Sequence, residues 1–403
     1  SSTEEMSLAS LQTNGHDFKL DSVTSDLTIE NAFALSGSET LSTQGADLIF
    51  ASSADISSGS TLDASGTDNS SGGGKPILEF QLGGTGNGTI NARNAIFKIG
   101  SAYTVTGTLK TNGSTTWDLA SNLDLSGGTL ELGGTVTLDK VLTDNLTTFK
   151  LGEDATVTRN QGFTLGGLDL DNSTFTLGSA TTDLTIDIGE SSDNGTDSGS
   201  PPGTLATQTA DLTVVGGIPS LSSGTTISST GGTFTFADGL SINGATVNLQ
   251  NSTLALGGSF SNTGGSLTLS GTDLELLSNL SLGSDAAFTV DELRLEDKTL
   301  NLQSVSSFTV ADLLVLDNAN EQVTWDNNTS LALNGGLKLD TNGGLTWKDP
   351  GNLAIGNITL NGGVLKIGET GSQTFALASN LILQADSEIY FNSGSILNYS
   401  GAE

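Results

Sequence analysis

The chain has 403 residues, 53 glycines, no cysteine and a net charge of −32 from 45 acids against 13 bases. Disulfide staples and thiolate metal sites are therefore excluded, and nucleic acid or an anionic membrane is a poor partner for such a surface. Length alone would suggest two or three globular domains, but the pattern along the chain points to one repeating architecture.

The first twenty residues place Met6, Leu8, Leu11 and Phe18 at spacings unlike the rest. An N-terminal cap is expected over 1–20, followed by a continuous β-solenoid over 21–403. A Ser/Gly/Asp-rich stretch near 57–76 carries only an isolated Leu62 and reads as a loop insertion. Apolar-x-apolar pairs then recur, as in Leu130/Leu132, Val136/Leu138, Phe163/Leu165, Leu168/Leu170 and Phe175/Leu177. A second loop insertion is expected near 189–203, which includes two prolines.

Beyond it the grammar becomes regular. Phe234/Phe236, Leu240/Ile242, Val247/Leu249 and Leu254/Leu256 lead into sets of three pairs. The sets begin at Leu267, Phe288, Phe308, Leu331, Leu353 and Phe375, so that each follows the last at the interval of one solenoid coil. The third set reads Phe308/Val310, Leu313/Val315 and Val323/Trp325. Two segments, Asn172-Ser-Thr-Phe-Thr-Leu-Gly178 and Asn251-Ser-Thr-Leu-Ala-Leu-Gly257, are near copies separated by close to four such intervals.

Alternation with period two puts both apolar members of a pair on one face of a short strand. Gly, Asn and Asp between pairs supply corners, because they tolerate positive φ. The Asn-Gly-Gly steps at Asn334, Asn342 and Asn361 are such corners. No i, i+3, i+4 pattern is sustained, which removes a helical reading. The fold class is therefore all-β: a single-stranded parallel β-helix with three short strands per coil of about 20–23 residues. No apolar run is long enough to cross a bilayer as a helix.

Catalytic chemistry is sparse. The only histidine is His16, so a histidine-based triad or metal site would have to use it. No nucleophile elbow, zincin motif or phosphate loop occurs. The three arginines, Arg93, Arg159 and Arg294, fall in different coils. Trp325 and Trp347 take inward strand positions and read as core, not as sugar platforms. No cofactor is required and the chain is not expected to be an enzyme. A polysaccharide-binding or polysaccharide-degrading β-helix is the alternative; it would need outward carboxylates clustered on adjacent coils.

Calcium is the ligand the sequence favours. Asp193 and Asp197 resemble the start of a calcium loop, with oxygen ligands spaced as such loops require but without the later bidentate Glu. Asp63 and Asp68 are candidates in the other loop. Gly83-Gly-Thr-Gly-Asn-Gly88 approaches a calcium-binding repeat but has Gly88 where an Asp is needed. An ice-binding face would need Thr-x-Thr pairs on one face of successive coils. Thr104/Thr106 and Thr135/Thr137 occur, without an expected recurrence at coil period.

Patterns such as Gly127-Gly-Thr-Leu-Glu-Leu-Gly133 and Gly264-Gly-Ser-Leu-Thr-Leu-Ser270 resemble the bacterial surface and secreted parallel β-helices: autotransporter passengers and filamentous-haemagglutinin-like adhesins. The resemblance implies an extracellular or cell-surface bacterial protein with a structural or adhesive role. Its partners would be further copies joined end to end, the rest of a longer surface protein, or a glycan or cell-surface receptor.

Overall fold

A computed structural model describes residues 4–20, 25–66, 74–144, 146–188, 202–283, 287–302, 305–318, 320–325, 330–340, 343–347, 353–367, 374–377, 380–384, 386–391 and 395–399. Among them every regular element is a β-strand, and the strand pairings are parallel. Among the described residues no helix is long and apolar enough to cross a membrane. The chain forms a β-solenoid, divided into two compact units, 1–206 and 207–403.

The first unit has three faces. One stacks Glu4–Leu8, Ser25–Ile29, Leu48–Phe50, Ile77–Phe80, Ile96–Ile99 and Thr116–Leu119 in that order. A second runs from Phe33–Leu35 through Ala54–Ile56, Gly84–Gly86, Tyr103–Val105 and Leu123–Asp124 to Val141–Leu142. The third runs from Phe18–Lys19 through Thr40–Ser42, Thr61–Asp63, Thr89–Asn91, Thr108–Lys110, Thr129–Thr137 and Thr148–Thr158 to Thr174–Leu177. From Ser25–Ile29 to Leu123–Asp124 the strands of the three faces follow one another in turn along the chain, so one circuit there visits each face once. That is the three-strand coil that the pair spacing requires.

Two details refine the expected boundaries. Glu4–Leu8 pairs in parallel with Ser25–Ile29, so coil-type pairing is already present within residues 1–20. Leu62 is not isolated: Thr61–Asp63 pairs with Thr40–Ser42 and with Thr89–Asn91, and Leu62 is buried between Leu41 and Ile90. A single inward leucine suffices here, because a three-residue strand centred on it points both neighbours outward.

The second unit repeats the scheme. Leu212–Val215, Thr233–Phe236, Thr253–Leu256, Asp273–Leu276 and Leu293–Arg294 form one sheet. Ser220–Ser222, Gly239–Asn243, Ser259–Thr263, Leu280–Gly283, Thr299–Asn301 and Gln322–Thr324 form another. Further on, Leu314–Leu316, Leu337–Asp340, Ile358–Asn361 and Leu381–Leu383 stack in turn.

One expected pair is out of register. Leu314 and Leu316 are the buried residues, whereas Leu313 and Val315 are 43% and 38% exposed. The run Leu313-Leu-Val-Leu316 allows either alternation, and a one-residue slip exchanges the faces. The neighbouring strand decides it: Leu314 lies against Leu337 and Leu316 against Leu339, both buried.

The cores differ in how they are filled. In the first unit Phe80 lies 5.2 Å from Phe50, 4.3 Å from Tyr103 and 6.1 Å from Phe97. The stack continues to Phe33 and to Trp117. Tyr103 is buried and donates its hydroxyl to the Ala54 carbonyl, which satisfies its polar end. In the second unit leucine columns dominate, for example Phe234, Leu254, Leu274 and Leu293 in register.

The near copies at Asn172 and Asn251 adopt the same local structure. Each opens on a left-handed asparagine, with φ of 63° and 49°. Each continues into a strand, Thr174–Leu177 and Thr253–Leu256.

Candidate functional site

The outward residues of the first unit's third face form two columns. Thr40, Thr61, Thr89, Thr108, Thr129 and Thr148 stand opposite one another in successive strands. Beside them run Ser42, Asp63, Asn91, Lys110, Glu131, Lys150 and Asp169. Opposite charges across neighbouring strands attract and like charges repel. The column follows that rule at its charged end, where Lys110, Glu131, Lys150 and Asp169 alternate in sign. Lys150 reaches Asp169 at 2.8 Å, and Glu131 takes an ion pair from Arg93.

Asp63 belongs to this column. Its Oδ1 accepts the Ser65 amide at 3.0 Å, the Ser65 hydroxyl at 2.6 Å and the Asn91 side-chain amide at 3.0 Å. This carboxylate therefore ties a corner to the next coil. Asp68, Asp193 and Asp197 lie outside the described residues. Among the described residues no group of three or more histidines, cysteines, aspartates or glutamates is arranged to hold a metal ion.

Paired threonines do recur at coil period, contrary to the sequence expectation. Thr135 and Thr137 lie opposite Thr156 and Thr158, and Thr156 lies opposite Thr176. The signal was present in the chain, where Thr156-Val-Thr158 repeats Thr135-Val-Thr137 in the next coil. Gly152, Glu153 and Asp154 obscured it. They enlarge Thr148–Thr158 to 11 residues against 9 in Thr129–Thr137, and the register shifts between Leu132 and Gly134. An extra residue in one strand of a pair is a β-bulge.

A recurrent use of acidic side chains was invisible in the sequence. Asp17 accepts the amide of Thr40 at 2.8 Å, and Asp47 that of Ile77 at 2.8 Å. Asp55 accepts the amide of Thr85, Asp139 that of Asn160, Asp154 that of Thr174 and Asp211 that of Thr233. Each bond joins one coil to the next. Buried hydroxyls do the same from the donor side: Thr147 to the Leu125 carbonyl, Thr272 to that of Leu249, and Ser60 to that of Gly37.

Two buried glutamates organise corners. Glu39, 3% exposed, accepts bonds from the Thr13 hydroxyl and from the amides of Gly15 and Ser36. The Thr13 hydroxyl is the main cause that holds its carboxyl below the usual glutamate range; burial opposes this, and the two amides and His16 add to it. Glu321, 7% exposed, accepts the amides of Asp317, Asn318 and Asp297. Both reach back 24 residues, to Gly15 and to Asp297, each on a turn with two successive left-handed residues.

Among the described residues of the second unit, Asp273 and Glu292 form an outward carboxylate cluster. Arg294 Nη2 lies 2.9 Å from Asp273 Oδ2 and 2.8 Å from Glu292 Oε2. Burial raises the Asp273 carboxyl, partly offset by the Arg294 charge, whereas the hydrogen bond from Arg294 lowers that of Glu292. A carboxyl pushed up beside one pushed down is the arrangement from which acid and base roles can be drawn. Here a guanidinium bridges both.

Trp325 is 3% exposed and belongs to the core, as its inward position implies. Trp117 packs edge-on against Phe97. His16 is exposed on the Thr13–His16 turn. Gly83–Gly88 is strand and corner: a side chain at Gly84 would collide with the Ala54 backbone, and one at Gly88 with the Ser57 and Ser60 carbonyls. Close approach of coils explains these glycines.

The chain matches no family model, no curated protein and no solved structure.

Proposed function

We propose that this chain is a structural β-solenoid of the cell exterior, acting as an adhesin stalk or as a subunit of a surface filament joined end to end. The observation that carries the reading is the coil-to-coil bonding. Aspartates such as Asp17, Asp55 and Asp139 accept amides from the following coil, and corner hydroxyls at Thr147 and Thr272 donate to carbonyls of the preceding one. A chain whose polar groups bind each coil to its neighbour is built to hold a long stack in register. Each net bond is worth about 0.5–1.5 kcal/mol, so their repetition matters more than any single one. Calcium would screen repulsion between copies carrying 45 acids each.

Electron microscopy of the purified chain, with and without calcium, tests this. Fibres support the filament reading, and separate elongated particles support the stalk. Compact round particles in both conditions would sink it.

The Asp273–Glu292–Arg294 cluster favours a second reading, in which an outward carboxylate pair acts on a polysaccharide. A screen for hydrolysis or elimination on neutral and acidic glycans addresses it. Turnover lost in Asp273→Asn would replace the structural reading with an enzymatic one.

A further inference from the structure

The sequence holds eight Asn-Gly steps, six of them with both residues described: Asn14, Asn87, Asn112, Asn243, Asn334 and Asn361, each followed by glycine. Asn-Gly is the step at which the following backbone nitrogen most easily reaches the asparagine side chain, because glycine brings no Cβ to obstruct it. The attacking atom is that glycine's amide nitrogen, so the partner of each glycine N–H decides how available it is.

Five of the six are engaged. Gly15 N–H donates to Glu39 and Gly113 N–H to Glu153. Gly88 N–H donates to the Ile56 carbonyl at 3.1 Å, and Gly244 N–H to the Thr263 carbonyl at 3.0 Å. Gly362 N–H donates to the Ser387 hydroxyl at 3.1 Å. Gly335 is the exception: its N–H has no hydrogen-bond partner among the described residues. The Asn334 side chain is also unbonded there and both residues are exposed. By contrast Asn112 is bound to Asn94 and Thr115, Asn87 to Thr106, and Asn361 to Asp340. The turn itself is closed by Gly336 N–H donating to the Leu333 carbonyl at 3.1 Å, which leaves the central amide outside the turn's own bond.

We propose that Asn334 is a site of spontaneous backbone modification, at which water converts the asparagine to aspartate and isoaspartate. The Gly335 nitrogen attacks Asn334 Cγ. The N–Cγ bond forms, the Cγ–Nδ2 bond breaks, and ammonia leaves carrying the proton that the Gly335 amide gives up. Water then opens the cyclic imide at either carbonyl. Each event adds one negative charge to the corner. Isoaspartate also lengthens the main chain by a methylene, at a position where a side chain on Gly335 would already collide with the backbone of Asp312 and Leu313. The modified corner therefore gives up the Asn334 N–H bond to the Val310 carbonyl, now 2.9 Å.

Peptide mapping by mass spectrometry after incubation at mildly alkaline pH tests this on the whole chain. The tryptic peptide 299–338 contains Asn334 and no other Asn-Gly step. In the folded chain its deamidation is expected to lead. The other five steps should lag by roughly two- to ten-fold, the cost of first breaking one hydrogen bond. In urea the six rates should converge. Another of the five matching Asn334 in the folded chain overturns the proposal, and so does an order that persists in urea. Ser387→Ala, which removes the acceptor of Gly362, is expected to speed Asn361 by roughly two- to ten-fold; an unchanged rate would defeat the argument from amide bonding.

Discussion

The two units follow one coil grammar and fill it differently. The first packs Phe33, Phe50, Phe80, Phe97, Tyr103 and Trp117 into a run of ring contacts. The second relies on leucine columns, with Phe260, Phe288 and Phe308 as its aromatic run. The corner device is the same in both: Glu39 and Glu321 each bind amides of their own turn and of the turn before. The difference teaches that a solenoid core is constrained in position more than in residue type. Any apolar side chain serves at an inward place if the residue stacked on it has a matching shape. The corners are less forgiving, because their backbone groups need particular partners.

That comparison can be broken most sharply at Phe80, which touches three rings. Phe80→Ala should cost about 3–5 kcal/mol. The loss should appear in denaturant unfolding followed at Trp117, the first unit's only tryptophan. A change below about 1 kcal/mol would mean that the ring stack is not a cohesive core, since truncation of a packed phenylalanine costs several times that.

The second unit offers a register test. Leu314→Ala removes a buried side chain and should cost about 2–5 kcal/mol. Leu313→Ala, one residue away and outward, should stay within about 0.5 kcal/mol. Equal effects, or the reverse order, would restore the Leu313/Val315 alternation.

The smallest expected effect concerns the corner at Glu39 and its dependence on pH. Its folded-state carboxyl lies below the usual glutamate range, chiefly through the Thr13 hydroxyl. The stabilisation is therefore fully present above the ordinary glutamate value and is lost as pH falls through the lowered folded value. Glu39→Gln should be less stable than the parent at neutral pH, and the gap should close in acid. A gap independent of pH would show that shape, not charge, matters at this corner.

Much of the fold was legible from the chain alone, for a physical reason. Period-two alternation can bury apolar pairs only on strands, and a repeat of one short coil can bury them only by stacking. So the inward places of Phe234, Leu254, Leu274 and Trp325 followed from spacing. The corners at the Asn-Gly-Gly steps of Asn334 and Asn361 were likewise local, with Gly336 and Gly362 taking the positive φ there. The polar surface was not legible. Whether Asp63 faces solvent or receives Ser65 and Asn91 depends on which residue the next coil brings opposite it. The buried Glu39 looks in sequence like any of the other acids. The face of Leu313 hung on Leu337 in another coil, and the extra residues around Glu153 hid the second pair of threonines. The sequence by itself determined the coil, since alternation and turn chemistry act within a few residues. Only the tertiary structure decided register and polar pairing, because both are set by neighbours a whole coil away along the chain and one strand spacing away in space.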